Sequence, residues 1–152
     1  MCPTTFDFVS SPAAAPASHA DFSVRTVGLA GLGALGVCFG NVVALDSPQA
    51  RERGKFNWGS TLWHELAHSI TMGATDHRVP RWLTEGISVY EERRANPAWG
   101  MRIDPGYREM ILGKDLVPVG KLSAAFLAPK TPRHLQFAYL QSSLVVEFIV
   151  AR

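Results

Sequence analysis

The chain of 152 residues is poor in cysteine and in charge. It contains 2 cysteines, 18% of its residues are charged, and its formal net charge is +2. Two cysteines cannot supply the disulfide framework that holds small secreted domains together. So small a net charge gives no reason to expect a nucleic-acid partner. With 47% hydrophobic residues, the composition is that of one ordered globular domain.

The N-terminal region lacks basic residues, the first being Arg25. We therefore expect no signal peptide, and the sequence indicates no cellular compartment. Residues 1–21 include a run rich in Ser, Pro and Ala that predicts a flexible segment, followed by a folded domain over residues 22–152. Residues 144–152 still follow a helical pattern, so we expect a domain truncated at its C-terminal end and belonging to a longer protein.

Charge is absent from residues 26–45 altogether. This stretch is long enough to cross a bilayer, but its five glycines are too dense for a typical membrane helix. We expect no membrane span. Alternation predicts a strand over residues 22–27, and the glycines predict a bent loop leading to another strand over residues 37–45.

Three of those glycines, Gly31, Gly33 and Gly36, have the spacing of a dinucleotide-binding fingerprint. That fingerprint requires a helix to begin at the third glycine. The residues after Gly36 favour a strand instead, so we expect no bound dinucleotide. The glycines are better explained as positions where the backbone turns sharply.

The strongest motif is His-Glu-Leu-Ala-His at residues 64–68. On a helix, His64 and His68 lie on one face a turn apart and can bind one ion. Glu65 lies one step round the helix, where it can reach a water on that ion without binding the metal. The alternative is a surface helix with two incidental histidines. Apolar neighbours such as Leu66 favour a mostly buried helix, in which these polar side chains are costly unless paired or metal-bound.

A zinc hydrolase needs a third protein ligand and one open position for water. The candidate is Glu85, in the sequence Trp-Leu-Thr-Glu-Gly at residues 82–86. We expect the first helix to end at Gly73 as its cap. A second helix would follow over residues 81–94 and stop at Asn96-Pro97. Packed antiparallel against the first, it would bring Glu85 to the two histidines.

The two motifs together resemble those of gluzincin metallopeptidases. Over residues 58–94 the chain most resembles the peptidase MA-like domains, which occur in bacterial proteins, often with tetratricopeptide repeats. The resemblance implies an α+β, zincin-like fold, with a small N-terminal sheet followed by an active-site helix, a glutamate-bearing helix and a C-terminal helix. It also implies that His64, His68 and Glu85 bind Zn²⁺, that Glu65 is the general base, and that the substrate is a peptide or protein.

One position departs from the pattern of the thermolysin-type gluzincins. They carry an aspartate four residues after the ligand glutamate, where it orients a ligand histidine, and this chain has Val89 there. If such a partner is needed, Thr84, Ser88 and Glu92 are the alternatives.

Tyr139 lies on a final amphipathic helix predicted over residues 135–150. The resemblance implies that its hydroxyl donates a hydrogen bond to the oxyanion of the reaction. An equally weighted alternative is a core aromatic, because Leu135, Val146 and Ile149 share its face of the helix.

These observations predict a zinc-dependent metallopeptidase that hydrolyses peptide bonds through a metal-activated water. The alternative is a catalytically inactive zinc-binding domain used for interaction or regulation. A membrane-anchored component, with residues 26–45 as the anchor, is a more distant option.

Overall fold

The computed structural model describes residues 18, 20, 22–24, 28, 35–39, 42–47 and 57–152. The chain divides into two compact units, Met1–Ala74 and Thr75–Arg152. In the described residues, the first unit has a two-stranded sheet and one long helix, and the second is helical.

The sheet consists of β1 (Gly36–Phe39) and β2 (Val42–Leu45), which are antiparallel. Gly36 lies opposite Leu45, and Phe39 lies opposite Val42. The prediction of a single strand over residues 37–45 was therefore wrong. Residues 40 and 41, between the two strands, lie outside the described residues.

The predicted strand over residues 22–27 was wrong in the part that the structure describes. Residues 22–24 are helical, and the amide of Phe22 donates to the carbonyl of Ser18 at 3.1 Å. Phe22 is buried whereas Val24 is 51% exposed. A strand would place these two side chains on the same face, while a helix places residues i and i+2 on nearly opposite sides. Residues 25–27 lie outside the described residues, as does most of the predicted flexible segment 1–21.

Helix α1 (Trp58–Ala74) carries the His-Glu-Leu-Ala-His motif. Asn57 caps it, because its Oδ1 accepts a hydrogen bond from the Ser60 amide at 3.1 Å. The expectation that Gly73 ends the helix was wrong, since α1 continues through Ala74. The left-handed backbone comes later, at Asp76 (φ 53°) and His77 (φ 57°), two residue types that adopt this conformation more readily than most.

Helix α2 (Arg81–Ala95) carries Glu85 and agrees with its predicted bounds to within one residue. Pro80 precedes it without a side-chain cap. One of its first amides, that of Trp82, instead donates to Ser123 Oγ at 3.3 Å, which satisfies a helix-end donor. Extended backbone at Asn96, followed by Pro97, ends α2 as predicted.

Three further α-helices and two 3₁₀ turns complete the described chain. They are a 3₁₀ turn at Pro97–Trp99, α3 (Pro105–Leu112), a 3₁₀ turn at Val119–Lys121, α4 (Leu122–Leu127) and α5 (Pro132–Val150). Helix α5 begins three residues earlier than predicted, because Thr131 accepts a hydrogen bond from the His134 amide and Pro132 suits the first helical position.

In the second unit, α2 packs against α5 at very short range. A Cβ built on Gly86 would lie 2.7 Å from the carbonyl oxygen of Ser142, so only glycine allows this approach. Nearby, Met110, Phe137 and Leu140 form a buried cluster, and the rings of Tyr107 and Phe137 stack with centroids 6.3 Å apart. The approach of Gly86 to Ser142 therefore holds α2, which carries Glu85, against α5.

Polar contacts attach the segment before α4 to α5. The buried Gln141 side chain accepts from the amide of Val117 at 3.1 Å and donates to the carbonyl of the same residue. His134, also on α5, has its Nε2 3.2 Å from Asp115 Oδ1. Lys130, just before the helix, has its Nζ 3.4 Å from the same oxygen.

The predicted α+β, zincin-like class is confirmed. A small sheet precedes the motif helix, a glutamate-bearing helix follows, and a long helix ends the described chain. None of the helices in the described ranges has the length and hydropathy needed to cross a bilayer. The described part of residues 26–45, which was weighed as an anchor, is chiefly the two strands.

Candidate metal centre

His64 and His68 lie one turn apart on α1, and their Nε2 atoms are 2.9 Å apart. The ring centroids are separated by 4.6 Å and the rings are inclined by 73°. Zinc–imidazole bonds of 2.0–2.1 Å can join nitrogens up to about 4 Å apart. The two nitrogens are therefore close enough to share one ion, as the helical spacing predicts.

Helix α1 is less buried than expected. Trp63 is 44% exposed and Ile70 is 62% exposed, so the apolar residues around the motif do not all pack inward. The buried positions are instead Glu65, Ala67 and Ser69. The glutamate of the motif is thus on the enclosed side of the helix, while both histidines are half-buried.

Glu65 lies against β1. A Cβ built on Gly36 would come within 2.7 Å of Glu65 Cγ and 2.9 Å of its Oε1. Both residues are buried. The strand before the motif helix therefore runs directly beside the carboxylate that is predicted to act as general base.

Cys38, two residues further along β1, is half-buried beside the same helix. Burial is the main reason that the pKa of its thiol is raised; a hydrogen bond with Ser69 opposes the rise, and the charge of Glu65 adds to it. A thiol with a raised pKa stays protonated near neutral pH and is a weak nucleophile and metal ligand. The structure therefore gives Cys38 a packing position next to the site.

Glu85 is buried on α2, with 6% of its surface exposed. Its Oε1 lies 3.4 Å from Nε of Arg81, one helical turn earlier. The Arg81 guanidinium also lies over the ring of Phe126, 5.9 Å from its centroid. A buried carboxylate needs a cation or hydrogen-bond donors to offset its lost hydration, and Arg81 supplies a cation here.

The residues proposed as ligands are two imidazoles and one carboxylate, a group that could hold a metal ion. Nitrogen and oxygen donors of this kind suit zinc, and three protein ligands are the usual number in a catalytic zinc site. The histidines belong to the first compact unit and Glu85 to the second.

A family model matches the part of the chain that contains these residues. The model describes the peptidase MA superfamily and matches residues 36–152, most of the chain. The chain belongs to the peptidase MA superfamily. No curated protein and no solved structure is significantly similar to it. The predicted resemblance to peptidase MA-like domains is thus confirmed, and the chain is a metallopeptidase-like domain.

Tyr139 of this peptidase MA domain is half-buried on α5. Its ring meets that of Phe126 edge to face, with centroids 5.0 Å apart and an interplanar angle of 89°. This contact fits the alternative of a packed aromatic. The predicted hydrogen bond from its hydroxyl to an oxyanion stays a prediction.

Two of the three alternatives for an orienting partner, Thr84 and Ser88, are buried on α2. Glu92 is half-buried. Ser88 Oγ has no hydrogen-bond partner among the described residues. An orienting role for one of these three residues stays a prediction.

The other two histidines of the described chain do not join the motif. His77 is exposed, as expected for a loop residue. His134 contacts Asp115 and Thr131 within the second unit. His19 lies outside the described residues, as does Cys2.

Two residues beside the predicted site were missed by the sequence interpretation. Arg81 could have been found, because it is placed four residues before Glu85, the spacing of opposite charges that pair on a helix. Gly36 had no such signal. The glycine spacing predicts a sharp turn at Gly36, but Gly36 is the first residue of β1. The side chain that it meets belongs to a helix that begins 22 positions later.

Proposed function

We propose that this chain is a zinc-dependent peptidase domain. In this proposal His64, His68 and Glu85 hold the ion, Glu65 is the general base, and the substrate is a peptide or protein. The observation that carries the proposal is the 2.9 Å separation of the two histidine Nε2 atoms, with Glu65 next to one of them in the sequence. Membership of the peptidase MA superfamily supports the same reaction class.

The donor set explains how zinc would be held. Two neutral imidazoles and one carboxylate leave a net charge of +1 on the ion and one coordination position for water or substrate. In such sites zinc polarises a carbonyl and makes water nucleophilic near neutral pH. Glu85 suits the third ligand position because it is the buried carboxylate of the second motif.

Glu65 and Tyr139 would then each take part in a step of the hydrolysis. Glu65 takes a proton from the attacking water while the oxygen of that water bonds to the scissile carbonyl carbon. Glu65 later gives the proton to the leaving amine. A hydrogen bond from Tyr139 to the oxyanion would add a contact of a type worth about 3 kcal/mol in other enzymes.

An extended peptide could be oriented by β1. This strand runs beside Glu65, since Gly36 lies against its side chain. A peptide that paired with β1 would be held through its main chain, with little dependence on its side chains. Its scissile bond would then pass close to the general base.

Peptide hydrolysis by the wild type and by Glu65→Gln tests the proposal. Glutamine retains the shape of the side chain but cannot accept the proton, so the variant should keep its zinc and lose about 10²- to 10⁴-fold in kcat. Glu109→Gln, at an exposed position on α3, is the matched control. A Glu65→Gln variant that cleaves peptides at the control rate would contradict the proposed role.

The same experiment separates the proposal from its alternative. A wild type that binds zinc but cleaves nothing in a broad peptide library would be the catalytically inactive zinc-binding domain. A wild type that binds no zinc would exclude both.

A further inference from the structure

We propose that Gly36 is a positioning residue for Glu65. In this inference the absence of a side chain at position 36 leaves the space that the Glu65 side chain occupies, and so determines where its carboxylate lies. The inference rests on the proposed function, because it explains how the general base is placed.

The space at Gly36 is taken up by Glu65 itself. A Cβ at position 36 would be 2.7 Å from Glu65 Cγ, 2.9 Å from its Oε1 and 3.0 Å from Cδ2 of Leu45. Non-bonded carbon atoms prefer separations of about 3.5–4.0 Å. An alanine methyl group and the present Glu65 conformation therefore cannot coexist.

The glycine is not needed for its backbone. It lies within β1 in register with Leu45, and in the described chain Gly28 is the glycine with a positive φ. Alanine can adopt the strand conformation of position 36 without strain. Glycine is needed at position 36 because a Cβ there would clash with the side chains of Glu65 and Leu45.

A second contact keeps β1 in place along α1. Cys38 follows Gly36 by two residues and hydrogen-bonds to Ser69, which follows Glu65 by four. Two strand residues advance about 6.6–6.8 Å, and four helical residues advance about 6 Å. The two contacts are therefore about equally spaced along the strand and along the helix, and the second one opposes movement of β1 away from Glu65.

The atoms that a methyl group would meet belong to side chains and not to the main chain. The side chains of Glu65 and Leu45 can move to other rotamers to make room for it. By contrast, a Cβ on Gly86 would meet the main chain of Ser142 at 2.7 Å. Gly36→Ala should therefore displace the Glu65 side chain and leave the fold intact.

The test compares Gly36→Ala with Gly120→Ala, in which the added methyl group has no atom within 4 Å. For both variants and the wild type, the measurements are the crystal structure of the metal-free protein, the melting temperature, zinc per chain, and kcat and KM on a peptide substrate. Glu65→Gln provides the rate that remains without a general base.

In Gly36→Ala we expect the Glu65 side chain to shift by about 1 Å or more, with the melting temperature and zinc content of the control. A misplacement of that size predicts a loss of about tenfold to a hundredfold in kcat, with KM little changed. A general effect on folding would instead lower the melting temperature and the zinc content together.

Glu65 in its wild-type position in the Gly36→Ala crystal structure would overturn the inference, as would a kcat equal to that of Gly120→Ala. If the wild type cleaves no peptide, the proposed function fails. The crystal structures alone then decide whether Gly36 positions Glu65, so the two failures are distinguishable.

Discussion

Arg81 and Glu85 form an ion pair on α2, with Arg81 Nε 3.4 Å from Glu85 Oε1. The Glu85 side chain is 8% exposed and that of Arg81 is 50% exposed. A guanidinium thus faces the carboxylate that is proposed to bind zinc. In the metal-free protein Arg81 offsets the charge of this buried group, and on metal binding the ion would share or replace that role.

Replacement of Arg81 by methionine should therefore lower the stability of the metal-free protein and increase the stabilisation that zinc provides. The metal-free variant should be less stable by about 1 kcal/mol, a value reduced from that of a fully buried pair because Arg81 is half exposed. Zinc should then raise its melting temperature by more than it raises that of the wild type. Melting curves of the chelator-treated and zinc-loaded proteins measure both effects.

The control for this experiment is Arg94→Met, which breaks an exposed ion pair with Glu91 at 2.9 Å. It should change neither quantity appreciably. Equal zinc-induced shifts in the wild type and in Arg81→Met would mean that Arg81 has no influence on the carboxylate that we assign to the metal.

Gly86 should be a structural position, not a functional one. A methyl group there would lie 2.7 Å from the Ser142 carbonyl oxygen, 2.8 Å from its carbon and 3.0 Å from Cγ2 of Val146. Because main-chain atoms cannot move aside cheaply, Gly86→Ala should lower the free energy of unfolding by about 1–3 kcal/mol. Urea denaturation measures this, with Gly120→Ala as the control. A Gly86→Ala protein as stable as the control would contradict the close packing of α2 on α5.

Asp115 should make stability depend on acid pH. The pKa of this carboxyl lies below its ordinary value of 3.8, chiefly because of a hydrogen bond from His134 and next because of one from Lys130. A lowered pKa in the folded state contributes stability that is present above the unfolded pKa and is lost as the pH falls through the folded pKa. Asp115→Asn removes this contribution.

The measurement for Asp115 is the unfolding free energy of the wild type and of Asp115→Asn from pH 6 to pH 2. The wild type should be the more stable near pH 6, and the difference should shrink as the pH falls below 3.8. A difference that stays constant over this range would show that ionisation of Asp115 does not contribute to folding.

The bounds of α2 and the shared face of the two histidines were predictable because their signals are local. The spacing of His64 and His68 determines their shared face wherever that helix lies, and α2 is bounded by Pro80 and Pro97. The two strands and the helical residues 22–24 were harder, because short segments follow their tertiary partners more than their own alternation. Phe22 and Val24 alternate like strand residues, yet local backbone hydrogen bonds make them helical.

Arg81 and Gly36, the two residues that the structure adds, show the same difference between local and long-range signals. The pairing of Arg81 with Glu85 depends only on helical spacing and was available from the sequence. The contact of Gly36 with Glu65 joins a strand to a helix, and no local pattern encodes which glycine of a glycine-rich stretch will meet which side chain. Glu65 is buried beside this strand, whereas Ile70 on the same helix is exposed.

The most direct test of the account is zinc binding by the wild type, Glu85→Ala and Glu109→Ala, measured as metal per chain and by titration of the metal-free protein. We predict one zinc ion per wild-type chain, the same for the exposed control, and an affinity at least about tenfold lower for Glu85→Ala, since a three-ligand site loses one of its ligands. Zinc binding by Glu85→Ala as tight as that of the wild type, or no zinc binding by the wild type, would contradict the assignment of His64, His68 and Glu85 to one metal ion.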